Sequence, residues 1–236
     1  MKDLKGKVAL VTGGSKGIGY GIAEALLNSG LKVAITSRSQ DAADEAAQKL
    51  GPDNVLPLES DVRSLESQQK AVNQIIDKWG QIDVVIANAG VGHFASIEEL
   101  TPDQWNQTLD TNLTGVFYTI KATVESLKKS KGYFITIASL AGTNFFASGS
   151  AYNASKFGLV GFSQAVMLDL RQYGVKVTTI MPGSVTSHFN DHTPNPDDAW
   201  KIQPEDLGQM TVDLLQLDQR TLPSKIEVRP TTPPSK

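Results

Sequence analysis

The chain alternates short apolar runs with stretches of helical periodicity over nearly its whole length. The runs are rich in Val and Ile and almost continuously apolar, which is typical of parallel strands covered on both faces. We predict strands over residues 7–12, 32–37, 55–58, 82–87, 133–138 and 176–180, and helices over 17–29, 41–50, 64–79, 103–129, 152–173 and 204–216. This order predicts a doubly wound α/β fold, whose ligands bind beyond the carboxyl ends of the strands.

Length and composition indicate the number of domains and exclude some kinds of chemistry. With 236 residues, 40% hydrophobic and 20% charged, the chain fits one globular domain over residues 1–236. Eight of the eleven prolines lie from Pro182 onward, so we interpret residues 184–203 as a short flap over a substrate and 231–236 as a loose tail. The absence of cysteine excludes disulfides, Cys-ligated metals and thiol nucleophiles.

Charge and hydropathy bear on partners and location. The net charge of −3 argues against a nucleic-acid partner, since such domains are usually basic. The start of the chain is charged and unlike a signal peptide, and no uninterrupted apolar run reaches membrane-spanning length. We therefore expect a cytoplasmic protein without a membrane partner.

A glycine-rich segment follows the first predicted strand. Residues 12–19 read TGGSKGIG and run directly into a helical pattern. Such glycines let the backbone approach a pyrophosphate, and the next helix offers free N–H groups to the anion. A glycine cluster alone is more often a simple turn, but this context favours a nucleotide site. The candidate contacts are Gly13, Ser15, Lys16, Gly17, Ile18 and Gly19.

The end of the second predicted strand indicates which dinucleotide binds. NAD sites usually place an acidic side chain there for the ribose hydroxyls, but this chain has Ser37 and Arg38 and no acid before Asp41. Arg38 and Lys16 are suited to a 2′-phosphate, although two solvated surface cations are the simpler alternative. The sequence predicts NADP(H) over NAD(H).

Tyr152 and Lys156 form the candidate catalytic pair. Their spacing places them one turn apart on the same helix face. Lys156 is the first charged residue after 24 uncharged ones, residues 132–155, which indicates a cation at the edge of a neutral pocket. We expect its ammonium to lower the tyrosine pKa from its ordinary value near 10.

With these motifs in place, the chain resembles the short-chain dehydrogenase/reductase family over essentially its whole length. Within that family, it most resembles the NADP-dependent 3-oxoacyl-carrier-protein reductase-like branch. The resemblance implies one Rossmann-type domain. It adds cofactor contacts at Asp61, Val62, Asn88, Ala89, Gly90, Pro182, Gly183, Val185 and Ser187, and it places Asn112, Ser139, Tyr152 and Lys156 on the catalytic tetrad, the last two also touching the cofactor.

The resemblance also implies roles for the tetrad. Tyr152 would protonate a carbonyl oxygen while Ser139 hydrogen-bonds the same oxygen. Lys156 would lower the tyrosine pKa and hold the nicotinamide ribose, and Asn112 would position Lys156 and a water. The implied function is NADPH-dependent reduction of a ketone or aldehyde, reversible as alcohol dehydrogenation. Simpler interpretations remain for single residues, because Ser139 also suits a strand-end turn and Asn112 a buried amide.

Other interpretations stay open. A nucleotide sensor or scaffold of the same fold, without catalysis, is the main alternative. His188 and His192 are spaced for a metal-dependent hydrolase, but the prolines at 194 and 196 favour flap residues and no metal. The roles of His93 and Trp200 are not determined by the sequence. The family resemblance implies a homodimer or homotetramer, although residues 225–230 depart from the glycine-rich final strand of the oxoacyl reductases.

Overall fold

Seven parallel strands form one sheet in the computed structural model, which describes residues 3–233. Their order is β3-β2-β1-β4-β5-β6-β7, so the chain reverses its direction of travel between β1 and β4 and opens a crevice there. The strands are β1 Val8–Thr12, β2 Lys32–Ser37, β3 Val55–Glu59, β4 Val84–Ala87, β5 Tyr133–Ile137, β6 Lys176–Pro182 and β7 Lys225–Val228. This architecture confirms the predicted doubly wound α/β fold.

Helices cover both faces of the sheet. They are α1 Gly17–Asn28, α2 Gln40–Leu50, α3 Leu65–Trp79, α4 Pro102–Leu109, α5 Gly115–Ser130, α6 Ser150–Leu170 and α7 Pro204–Gln216. In β1, Ala9 and Val11 face the layer of α1, α2 and α7, whereas Val8 and Leu10 face the layer of α3, α5 and α6. Both sets are buried, which explains the continuously apolar strands. Within residues 3–233, no helix is long and apolar enough to cross a membrane.

The structure corrects the expected helix over residues 103–129. After α4, residues Asp110–Thr114 form a π-helical turn, and α5 begins only at Gly115. The turn points the side chain of Asn112 inward, where it is 1% exposed and hydrogen-bonds other segments. The apolar periodicity continues through this turn, so the sequence pattern alone does not reveal it.

Strand β7 was not predicted from the sequence. It pairs in parallel with β6, with Met181 opposite Glu227 and Pro182 opposite Val228. Its side chains alternate between exposed and half-buried, as expected at a sheet edge, and four residues are too few for a clear pattern. The strand brings residues 229–233 to the carboxyl edge of the sheet.

Close backbone contact joins α7 to α1. A Cβ added to Gly208 would lie 2.6 Å from the carbonyl oxygen of Gly21, and one added to Gly21 would lie 2.7 Å from Pro204. Only glycine permits this approach without displacing a backbone. The helix that follows the flap therefore rests directly on the helix that follows the glycine-rich segment.

Candidate active site

The glycine-rich segment forms a tight loop between β1 and α1. Gly13 and Gly17 have φ angles of +63° and +57°, the left-handed region that favours glycine. A Cβ added to Gly19 would lie 2.4 Å from the carbonyl oxygen of Gly13. Ile18 packs against the core, Ser15 is half-buried and Lys16 is exposed beside the start of α1. The first turn of α1 thus offers its N–H groups to an anion, with a cation nearby.

Asn88 fastens this loop to the end of β4. Its side-chain amide donates to the carbonyl oxygens of Thr12 and Gly13 at 2.9 and 3.0 Å. The Thr12 hydroxyl accepts from the backbone N–H groups of Asn88 and Ala89 at 3.0 and 3.2 Å. The structure therefore makes Asn88 a positioning residue, which sets the spacing of the crevice between β1 and β4.

Two arginines, Arg38 and Arg63, lie near Asp61 beyond the ends of β2 and β3. Ser37 ends β2 and the exposed Arg38 follows it, while the backbone N–H of Gly14 donates to Thr36 O at 3.1 Å and links loop to strand. Asp61 makes a two-pronged ion pair with Arg63, with N···O distances down to 2.6 Å. Hydrogen bonds from Arg63 and the charge of Arg38 hold the Asp61 pKa below its ordinary value.

Two further residues, Arg63 and Val62, lie near this group. Arg63 was not predicted, and an arginine two residues after an aspartate is too common to have indicated it. Val62, an expected cofactor contact, is buried, and its side chain lies 2.9 Å from where a Cβ on Gly115 would be. Its neighbour Asp61 is the more exposed of the pair.

The catalytic candidates converge from β5 and α6. Ser139 lies just after β5, where its hydroxyl accepts from the N–H of Ala141 at 3.1 Å and hydrogen-bonds the side chain of Tyr152. Tyr152 lies in the first turn of α6, and Lys156 follows one turn later. The Lys156 ammonium donates to Ile137 O at 3.1 Å and lies 5.6 Å from the centre of the Tyr152 ring. Sequence spacing correctly placed the pair on one helix face.

The pKa values of the pair correct one expectation. Burial raises the pKa of Tyr152 to about 12, although its hydrogen bond with Ser139 acts in the opposite direction. Burial also lowers the pKa of Lys156 to about 8. Desolvation of the phenol is the largest cause of its raised pKa, and the hydrogen bond of the ammonium goes to the Ile137 carbonyl. In the free protein Tyr152 is therefore a protonated hydrogen-bond donor at neutral pH, not an activated phenolate.

Asn112 connects the two sides of the crevice. Its side-chain amide accepts from the N–H of Val91 and donates to Val91 O, both at 2.8 Å, and it donates to the hydroxyl of Ser155 at 3.1 Å. Its carbonyl oxygen and the Lys156 ammonium both border Gly90, 3.3 and 3.8 Å from where a Cβ would be. Asn112 thus holds α6 through Ser155, the neighbour of Lys156, rather than through Lys156 itself.

A mostly apolar cavity of about 430 Å³ opens beside Ser139 and Tyr152. Its lining comprises Ser139, Leu140, Ala141, Asn144, Phe146, Tyr152, Gly183, Ser184, Trp200, Arg229, Pro230 and Pro233. Trp200 of the flap thus lines the cavity, and Pro233 of the expected loose tail does too, while residues 234–236 lie outside the described part. The size suits a small organic molecule.

Aromatic rings surround the Tyr152 side chain. Phe94 and Phe189 have their ring centres 5.3 and 5.6 Å from that of Tyr152, and Phe146 lies 5.9 Å from Phe94. These three phenylalanines come from the loops after β4, β5 and β6, and the sequence did not indicate that they meet. They dehydrate the phenol, which is the physical source of its raised pKa.

The flap folds back along itself. Val185 pairs with Ile202, and the N–H of Ile202 donates to Ser184 O at 3.1 Å. Ser187 lies over the glycine loop, its Cβ 3.3 Å from where a Cβ on Gly17 would be. Pro182 is buried at the end of β6, and the N–H of Gly183 donates to Val228 O at 2.8 Å. The expected contacts after β6 therefore face the crevice or support its wall.

Two of the three histidines, His93 and His192, hydrogen-bond nearby side chains. His192 pairs with Asp198 at 2.5 Å, and Lys201 pairs with the other carboxylate oxygen at the same distance. These hydrogen bonds hold the Asp198 pKa at about 2. His93 meets Gln107 at 3.3 Å, and His188 is exposed. Among the described side chains of residues 3–233, which do not include that of Asp191, no three His, Cys, Asp or Glu side chains are grouped to hold a metal ion.

Comparison with known proteins gives consistent matches. The profile of a family described as short chain dehydrogenase matches residues 7–197. An uncharacterized oxidoreductase of Staphylococcus saprophyticus is 34% identical, over 98% of this chain and all of its own. A Staphylococcus aureus oxidoreductase is 33% identical over the same shares of the two chains.

Solved structures match over nearly the full length. An alcohol dehydrogenase from Thermococcus sibiricus, complexed with 5-hydroxy-NADP, has a TM-score of 0.91 at 28% identity, covering 98% of this chain and all of its own. A metagenomic short-chain oxidoreductase in complex with NADP has a TM-score of 0.85 at 29% identity over the same shares. A Brucella melitensis 3-ketoacyl-(acyl-carrier-protein) reductase, at 24% identity over 97% of this chain and 98% of its own, shares the fold with a TM-score of 0.88.

Proposed function

The chain belongs to the short-chain dehydrogenase family of oxidoreductases, and from that premise we propose that it is an NADPH-dependent reductase of ketones or aldehydes, reversible as an alcohol dehydrogenase. The observation that carries the proposal is the Tyr152 phenol, hydrogen-bonded to Ser139 beside the buried Lys156 and open to an apolar cavity. The glycine loop lies on the same carboxyl edge of the sheet. A nucleotide and a carbonyl compound would therefore meet at one crevice.

NADPH is the cofactor that the residues fit. The loop from Gly13 to Gly19 would receive the pyrophosphate, and Lys16 with Arg38 would receive the 2′-phosphate. The missing acid after β2 disfavours NADH, whose ribose hydroxyls would find no carboxylate acceptor there. Two similar solved structures contain NADP or its 5-hydroxy derivative, which agrees with this assignment. The bound cofactor would supply the hydride.

In the proposed reduction, Tyr152 donates its phenolic proton to the carbonyl oxygen as the carbonyl carbon accepts hydride. A pKa of about 12 keeps that proton on the phenol at neutral pH, yet makes the phenol far more acidic than the alcohol that forms. The Ser139 hydroxyl, already bonded to Tyr152, hydrogen-bonds the same oxygen and stabilises its developing negative charge.

Lys156 acts once the proton has left. The phenolate of Tyr152 then carries a full charge on a ring whose centre lies 5.6 Å from the ammonium, and burial strengthens their attraction. A Lys156 pKa of about 8 leaves most of this side chain charged at neutral pH. The lysine therefore stabilises the product state of the proton transfer, and solvent protons restore the phenol.

The direct test uses a panel of activated carbonyl compounds and measures the oxidation of NADPH from the fall in its absorbance. We expect turnover with several members and much less with NADH. Binding of NADPH without turnover of any member would instead favour the nucleotide-sensor alternative. Chelator-sensitive hydrolysis without nucleotide would overturn the proposal in favour of a metal enzyme.

A further inference from the structure

The substrate cavity contains one charged side chain among the described residues that line it. Arg229 lies at the rim, whereas the remaining lining is apolar, aromatic or neutral. Ser139 and Tyr152, which receive the carbonyl oxygen in the proposed reaction, line the same cavity. A molecule bound there would therefore meet the reacting groups and a guanidinium together.

The fold fixes the backbone of Arg229 firmly. It directly follows β7, whose last residue, Val228, accepts a hydrogen bond from the N–H of Gly183 at 2.8 Å. Pro230 comes next, with its Cδ 3.3 Å from where a Cβ on Gly183 would be. Because β6 and β7 are parallel, their carboxyl ends meet at the catalytic edge of the sheet. The position of Arg229 is thus set by the strand pairing.

Glu227 holds the guanidinium over the rim. Its carboxylate pairs with Arg229 at 2.7 Å and accepts from the Thr143 hydroxyl at 3.3 Å. Both side chains are about half exposed, at 57% for Arg229 and 41% for Glu227, so the ion pair is weak. A guanidinium has five N–H donors and binds carboxylates in a planar fork. A substrate carboxylate can therefore join or replace Glu227 at small cost.

We propose that Arg229 selects oxo acids, binding the substrate carboxylate while the carbonyl group lies at Ser139 and Tyr152. This inference rests on the proposed reductase function and names its substrate class. The apolar body of the substrate contacts Phe146 and Trp200, which line the space between. The preferred substrates are thus apolar or aryl oxo acids rather than neutral ketones of the same shape.

The test compares aryl oxo acids of increasing chain length, from benzoylformate to 4-benzoylbutyrate, with their methyl esters. For the best acid, kcat/KM should exceed that of its ester in the wild type. In Arg229→Ala the acid-to-ester ratio should fall about ten-fold, because one charge-assisted contact at a half-exposed site is lost. Arg229→Lys should restore part of the ratio, since it keeps the charge but not the fork.

Two further variants separate this effect from net charge. Arg220→Ala removes an arginine that is 83% exposed and precedes β7, at the opposite end of the strand, and it should leave the ratio unchanged. Glu227→Gln frees the guanidinium and should lower KM for the acid. If the esters are reduced but the ratio is the same in wild type and Arg229→Ala, the inference is wrong and the reductase function stands. If neither acids nor esters are reduced with NADPH while other carbonyl compounds are, the inference is again wrong and the reductase function stands; if no carbonyl compound is reduced, both fail.

Discussion

The two halves of the crevice are built in different ways. In the cofactor half, comprising the loops after β1, β2 and β3, backbone geometry dominates, with left-handed glycines and contacts that exclude a Cβ. In the substrate half, comprising the loops after β4, β5, β6 and β7, side chains from distant segments converge on Tyr152. A site formed by backbone can be recognised in the sequence from the spacing of its glycines. A site formed by side chains from distant segments has no comparable local motif.

The largest expected effect tests the substrate half. Tyr152→Phe removes the proton donor and should lower kcat by about 10²–10⁴-fold, while the fold and NADPH affinity are kept. Steady-state kinetics together with NADPH titration by fluorescence would measure both. Near-normal turnover would mean that another group supplies the proton, and the assignment of Tyr152 would be abandoned.

The second prediction tests the cofactor half by adding a side chain to a glycine of its loop. In Gly19→Ala the new Cβ would lie 2.4 Å from Gly13 O and 2.5 Å from the Asn88 amide nitrogen, so the loop must shift. Overpacking of this kind costs about 1–3 kcal/mol or more, and we expect NADPH affinity to fall up to a hundred-fold.

Gly161→Ala is the matched control for that variant. A Cβ at Gly161, inside α6, meets nothing within 4 Å. The variant should therefore bind NADPH normally, and the alanine should stabilise the helix by about 1 kcal/mol. Equal NADPH affinity in the Gly19 and Gly161 variants would contradict the view that the loop needs its glycines.

The third prediction concerns the part of the cofactor half that does depend on side chains. Arg38→Ala should raise KM for NADPH about ten- to a hundred-fold and leave KM for NADH nearly unchanged, because one partner of the 2′-phosphate is lost. Ser37→Asp with Arg38→Ala should move preference toward NADH by adding an acceptor for the hydroxyl. The ratio of kcat/KM values with the two cofactors measures this.

Lys49→Ala provides the charge control, since Lys49 is exposed on α2 and pairs with Glu45. It should leave the cofactor ratio unchanged. A wild type that prefers NADH would remove the basis of the NADP(H) assignment.

The smallest effect is a pH dependence of stability in the substrate half. Below pH 8 Lys156 is charged in both states, and its burial costs stability. Between about 8 and its ordinary pKa of 10.5 the unfolded chain binds more protons, so the free energy of unfolding rises with pH. Tyr152 acts oppositely only above its ordinary pKa of 10. Relative to Lys156→Met, the wild type should therefore gain about 2 kcal/mol between pH 7 and 9.5.

Urea unfolding of both proteins at the two pH values checks this, since the subtraction removes groups they share. A difference that is independent of pH would show that Lys156 keeps an ordinary pKa in the folded protein.

Sequence reasoning reached most of the fold because its signals are local. The bounds of the six predicted strands and of most helices agree with the structure within three residues. The spacing of Tyr152 and Lys156 is equally local, since one helical turn joins them. The π-helical turn at Asn112 escaped because helical periodicity continues through it.

Other features depend on contacts between distant segments and were therefore not predicted from the sequence. The raised pKa of Tyr152 reflects burial beside Phe94 and Phe189, rings that the chain separates by 95 residues and the fold brings together. Arg229 reaches the cavity only because a four-residue strand pairs at the sheet edge. Desolvation and edge pairing are properties of the assembled chain, and no single window of sequence records them.

The anchoring of the flap has a practical consequence for redesign. Its first end is bonded at Gly183 to β7, and its second end passes through Pro204 into α7, which rests on α1 by backbone contact. Both ends of residues 184–203 are therefore held in place by other parts of the fold. Libraries confined to residues 188–201 would vary substrate choice while keeping Ser187 and the glycine loop that it covers unchanged, whereas changes at Gly21 or Gly208 would displace α7 from α1.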